Sequence, residues 1–270
     1  MKNFLCGIIL ISVLFSCKGY KRESMGKTVS LSDKTPVSAS IDDNKIVASD
    51  ELNHEFDILL PRSYRSYDGK NEVDFLNEKW IELYQENEEY YLGKANYDIV
   101  KGFDDCSGDS LKIICPQKKV LVFMDYQQLK FGKIESLRIK KRTIWPGEKM
   151  TLMFNSLKYD LYAEGKVVSE SKRLDEDEKE EKYMVVENYK LYLTTGNTVR
   201  QLVVAADFSD ADASVEVLFV GDIDGDGKLD FVFGSNRNYE EERVLLFLSS
   251  KAEKGEAVKK VSEIAVQFDC

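Results

Sequence analysis

Apolar and polar residues alternate along most of the chain beyond position 80. The stretches 119–125 (KVLVFMD), 134–140 (IESLRIK), 151–154 and 158–163 (KYDLYA) carry that two-residue period. So do 182–187, 190–195, 199–205, 215–220, 229–233, 244–249 and 262–268. A period of two places one face of a strand against a core and the other in water. Many of the residues are β-branched or aromatic, which suits a half-buried pleated surface. Turn signals separate the stretches, among them Pro146-Gly147, Glu164-Gly165 and Gly196-Asn197. Leu76, Trp80, Leu83 and Tyr84 lie at helical spacing, yet Trp80–Tyr84, the polar Glu86-Asn87-Glu88 and Tyr90–Leu92 read better as a hairpin. The aromatic residues there are expected to make core and cross-strand contacts. The pattern predicts a mainly β fold of antiparallel sheets, sandwich-like or a partial barrel. Two β-rich regions are expected, at 51–165 and 183–270.

The first residues break the pattern. Lys2 is followed by an apolar run from Phe4 to Phe15, too short to span a bilayer, which takes about 20 apolar residues. A charged start, an apolar stretch and a small residue before a cut form a secretory leader, here 1–16. Leu14-Phe15-Ser16-Cys17 resembles the lipobox of bacterial lipoproteins, which implies acylation of Cys17. Residues 17–50 are rich in Ser, Lys and Asp and read as a flexible tether. The implied location is a bacterial membrane, reached through the lipid anchor. No acidic cluster follows Cys17, so the outer membrane facing the periplasm is expected.

Charge and cysteines narrow the chemistry. The chain has 38 Lys+Arg against 48 Asp+Glu, a net charge of −10. Loss of a leader holding Lys2 and no acid makes it more negative still. Nucleic acid, which needs clustered positive charge, is excluded as a partner. The run Asp175–Glu181 reads as a solvated loop between strands. Of five cysteines, Cys106, Cys115 and Cys270 remain after Cys6 leaves and Cys17 takes lipid. One disulfide and one free thiol are expected, Cys106 pairing with Cys115 or either with Cys270. With a single histidine, His54, zinc clusters and Ser-His-Asp machinery have no basis in this sequence.

One loop carries a specific signal. Residues 221–233 read GDIDGDGKLDFVF. Asp222, Asp224 and Asp226 stand at loop positions one, three and five, and Asp230 at nine. Alternate carboxylates on a tightly wound loop converge on one point, and calcium takes 6–8 such oxygens. Gly225 and Gly227 permit the winding. Lys228 is expected to offer its main-chain carbonyl with its side chain directed away, and Leu229 to face the core. An EF-hand would need a bidentate Glu at position twelve between helices. Phe233 stands there, so strand–loop–strand is expected. The loop resembles the DxDGDGxxD calcium loop of FG-GAP or VCBS-type repeats, over residues 215–249. With its FLSSKAEKGE segment the region is similar to small bacterial lipoproteins that carry a single such repeat. One repeat does not make a propeller.

The second acidic turn, Phe103–Ser110, lacks that alternation and reads as a disulfide-anchored turn. The expected function is a calcium-stabilised, non-catalytic envelope module that binds a protein or glycan. A carboxylate-dependent polysaccharide hydrolase and a periplasmic inhibitor or immunity lipoprotein are the competing readings.

Overall fold

The computed structural model describes residues 54–174, 180–196, 200–206, 215–238 and 240–268. The leader, Cys17, the tether, Cys270 and residues 175–179 of the acidic run lie outside the described residues. The chain begins with β1 (Ile58–Leu59), β2 (Ser63–Arg65), a 3-10 turn (Glu72–Phe75), β3 (Ile81–Glu86) and β4 (Glu89–Lys94). It continues with β5 (Tyr97–Phe103), β6 (Ser110–Pro116), β7 (Lys119–Met124), β8 (Gly132–Ile134), β9 (Lys149–Phe154) and β10 (Leu157–Leu174). The last strands are β11 (Glu180–Thr195), β12 (Gln201–Ala206), β13 (Val215–Gly221), β14 (Asp230–Ser235), β15 (Glu241–Leu248) and β16 (Lys259–Gln267). No helix among the described residues is long and apolar enough to cross a membrane.

Among the described residues the strands form four antiparallel sheets, and none closes into a barrel or propeller. One sheet runs β1-β7-β3-β4-β8, a second β12-β11-β10-β9, a third β13-β14-β15-β16, and a small one β2-β6-β5. The third sheet is buried on both faces. Val232, Val244, Leu246 and Leu248 join one apolar cluster with Leu83, Val122 and Phe123 of the first sheet. Their neighbours Phe231, Phe233, Leu245 and Phe247 join another with Leu161, Leu191 and Leu193 of the second sheet. Both clusters draw on residues from 51–165 and from 183–270. Burial on both faces explains why 229–233 and 244–248 read as near-continuous apolar runs rather than clean alternation. Each fully buried Phe in these layers stabilises by about 1.5–3 kcal/mol.

The hairpin expected at Trp80–Leu92 is present as β3 and β4, with Glu86 opposite Glu89. Its two-residue loop, Asn87-Glu88, has φ of 50° and 64°. Two positive-φ residues match the right-handed twist of the flanking strands, and Asn tolerates that conformation. The β9–β10 loop, Asn155-Ser156, repeats the device at 45° and 64°.

Three sequence expectations are corrected. Residues 134–140 are not a strand of the first sheet. β8 ends at Ile134, and the chain crosses to run beside β13 as a strap. Leu137 N–H donates to Val220 O at 2.9 Å, and Val217 N–H donates to Arg142 O at 3.0 Å. The strap crosses where residue 221 is glycine. A Cβ there would sit 2.6 Å from Glu135 O. Glu164-Gly165 is not a turn but lies inside β10, beside a register shift against β11. A Cβ on Gly165 would stand 2.6 Å from Val186 Cγ1. The stretches 182–187 and 190–195 are one strand, β11, in which Asn188 takes a φ of 54°.

Candidate metal centre

The loop between β13 and β14 is wound by its own carboxylates. Asp222 Oδ1 accepts from the N–H groups of Gly225 at 2.8 Å and Asp226 at 3.0 Å, and Oδ2 from Gly227 at 2.9 Å. Asp226 Oδ1 accepts from Lys228 N–H at 2.9 Å. Gly225 and Gly227 have φ of 77° and 82°, the left-handed region in which a side chain is strained. The expected strand–loop–strand unit is therefore present, closed by the Gly221–Asp230 pair. Two apolar residues pin it. Ile223 enters the first apolar cluster, and Leu229, fully buried, enters the second.

The result is a convergence. Asp222, Asp224 and Asp226 each present an oxygen within 4.8 Å of the others. At that range two carboxylates repel by on the order of 3–4 kcal/mol at the effective dielectric of a protein surface. The Lys228 ammonium lies 3.5 Å from Asp226 Oδ2. Its side chain thus turns back toward the loop instead of away from it, drawn by the local excess of negative charge. All donors in the triad are hard carboxylate oxygens, and the triad could hold a metal ion.

Asp230 stands outside that triad. It is completely buried. Its Oδ2 accepts from the N–H of Ile223 at 2.6 Å and of Asp224 at 3.3 Å. Its Oδ1 accepts from Ser249 N–H at 2.7 Å and faces Ser249 Oγ at 2.9 Å. Ser249 Oγ also lies 2.9 Å from Asp226 Oδ1. A hydroxyl has one proton, so it can donate to one of those two oxygens at a time. Burial, reinforced by the Asp224 charge, pushes the Asp230 carboxyl well above its ordinary range. Burial and the neighbouring Asp226 and Asp222 charges push Asp224 up as well. These carboxylates hold more negative charge than the protein around them balances.

Partners from distant segments complete the centre. Ser250 Oγ donates to Asp224 Oδ2 at 2.5 Å. The Asn155 amide donates to Gly227 O at 3.0 Å, and Leu229 N–H donates to Tyr159 Oη at 3.3 Å. Sequence spacing identified the acids but assigned no role to Ser249, Ser250, Asn155 or Tyr159. The FLSS segment was visible as part of the repeat resemblance, and that was the available signal.

The second acidic turn is organised differently. Asp104 Oδ2 accepts from Arg65 Nε at 2.8 Å and Nη2 at 2.7 Å, and Oδ1 from Cys106 N–H at 3.0 Å. Arg65 and these hydrogen bonds hold the Asp104 carboxyl below its usual range. Cys106 is disulfide-bonded and Cys115 is a free thiol, so these two do not pair with each other.

Comparison with protein-family models, with curated proteins and with solved structures found no match to the chain.

Proposed function

We propose that the loop 222–230 is a calcium site and that the chain is a calcium-stabilised, non-catalytic binding module of the bacterial cell envelope, anchored through Cys17 and facing a protein or glycan. The observation that carries this reading is the convergence of three carboxylates, backed by a buried fourth, with one lysine ammonium as their nearest cation. The Asp222, Asp224 and Asp226 carboxylates would hold the ion, with Asp230 and the Lys228 carbonyl as further oxygens. The ion supplies two positive charges where the fold has gathered uncompensated negative ones. The chain's own residues then turn occupancy into order. Ile223 and Leu229 fasten the loop to both apolar clusters. Ser249 and Ser250 tie it to the end of β15, and Asn155 ties it to the β9–β10 turn.

Extracellular calcium modules bind at about 10⁻⁴–10⁻³ M. At tenfold excess over the dissociation constant, binding adds about 1.4 kcal/mol. Calcium is expected to raise the melting temperature of the protein, and Asp224→Ala to remove that increment. Identical melting curves in calcium and in chelator would end the calcium reading. Cys17→Ala is expected to release the protein from the membrane fraction, and continued sedimentation with membranes would end the lipid-anchor reading. Cross-linking in intact cells, followed by identification of the captured protein or glycan, tests the binding role.

A further inference from the structure

A groove of about 570 Å³ lies where the strap 135–142 passes between β4, β8 and β13. That is within the range of small-ligand sites. Its aromatic wall is Tyr90, half-buried and packed edge-on against Phe219 with ring centroids 4.8 Å apart. Its rim is polar and balanced in sign. Lys133 pairs with Glu89 at 2.6 Å, and Arg138 pairs with Glu88. Arg142 and Glu135 also line the groove, and neither makes an ion pair among the described residues. Three cations and three acids thus face the same space with no net formal charge.

The groove is bonded to the aspartate loop at two points. On the strap side, Asp222 N–H donates to Glu135 O at 2.9 Å. Phe154 also lines the groove, and the next residue, Asn155, donates to Gly227 O at 3.0 Å. These two hydrogen bonds join the loop to the groove wall.

We propose that this groove binds a neutral, hydroxyl-rich saccharide segment, and that its affinity follows cation occupancy of the aspartate loop. Each sugar hydroxyl both donates and accepts. It therefore matches a rim that holds both arginine and lysine donors and carboxylate acceptors. A neutral ligand suits a rim without net charge, and half-buried Tyr90 adds an aromatic side chain to the wall. An added peptide strand would need free main-chain groups. Along the strap, Glu135 O, Leu137 N–H and Arg142 O are already committed to β13 and the loop. The linkage rests on the calcium reading above; the saccharide site does not.

The test is a calorimetric titration of the purified full-length protein with cellotriose, triacetylchitotriose and mannotriose, in calcium and in chelator. Saturable binding of at least one trisaccharide in calcium is expected. Arg142→Ala is expected to weaken it about tenfold or more while leaving the calcium-loaded melting temperature in place. Chelator is expected to weaken binding by about fivefold or more, and the sugar must tighten calcium binding by the same factor. Binding of none of the three sugars, or binding untouched by Arg142→Ala, overturns the site. A peptide selected from a random library that competes at Arg142 while the sugars fail overturns the ligand class. Equal sugar affinity in calcium and chelator overturns the linkage. If calcium also leaves the melting curve unchanged, that failure belongs to the metal reading, and the Arg142 arm still judges the groove.

Discussion

Two acidic turns of this chain have similar compositions and opposite electrostatics. In the β5–β6 turn, Asp104 meets the Arg65 guanidinium, and its carboxyl is held low. In the β13–β14 loop, Asp224 and Asp230 are surrounded by burial and by other carboxylates, and theirs are held high. The first turn brings its cation with it from β2. The second gathers negative charge around backbone N–H groups and serine hydroxyls, which organise the oxygens without neutralising them. What separates a structural turn from a candidate cation centre is therefore not the number of acids. It is whether the fold has already supplied the opposing charge.

That contrast can be broken by experiment. The largest effect is expected from Asp230→Ala, which leaves the buried N–H groups of Ile223 and Ser249 without their acceptor. Each such orphan costs about 1–3 kcal/mol. A loss of about 3 kcal/mol would lower the melting temperature of a domain this size by about 6–12 °C. A drop smaller than that caused by chelator would show that Asp230 does not organise the loop. Asn155→Ala comes next. It removes one neutral hydrogen bond to the loop, worth about 1 kcal/mol, and thermal denaturation reads it directly. Restoration of full stability by calcium alone would place that bond outside the centre.

A buried acid outside both turns supplies a control on the pH axis. Glu241 is fully buried. Burial opposes its charge, but the Arg237 side chain and N–H overcome that and hold its carboxyl below the ordinary 4.5. A lowered folded-state value means that the charged form is favoured by folding. Its stabilisation is present above 4.5 and is lost as pH falls through the lower folded value. Acid titration of Arg237→Ala is expected to show a shallower loss in that window, equally in calcium and chelator. A calcium-dependent difference would link this pair to the loop and blur the comparison. The smallest effect is expected from Arg65→Ala, which should leave the calcium increment in melting temperature intact. If the increment vanished, the two turns would not be independent.

The sequence reading reached the β class, the Trp80–Leu92 hairpin and the loop acids, because each depends on neighbours within about ten residues. Periodicity sees the pleat, and a DxDxD spacing sees a wound loop. It missed what depends on contacts between remote segments. Residues 134–140 alternate like a strand, yet a sheet edge at Ile134 and the approach of Gly221 turn them into a strap. Gly165 reads as a turn but serves close packing against Val186. Ser249 is 19 residues from Asp230, and Asn155 is 72 from Gly227, so no local spacing could assign them to the centre.

The doubly covered C-terminal sheet has a consequence for how this chain is made. Both neighbouring layers complete their apolar cover only with β13 to β16, the last strands in the order of synthesis. Folding domain by domain from the N-terminus has no early stopping point here. The described layers that precede residue 215 keep part of their apolar faces open until this one late sheet covers both. A ribosome stall before residue 215 would leave two half-built layers without the sheet that joins them.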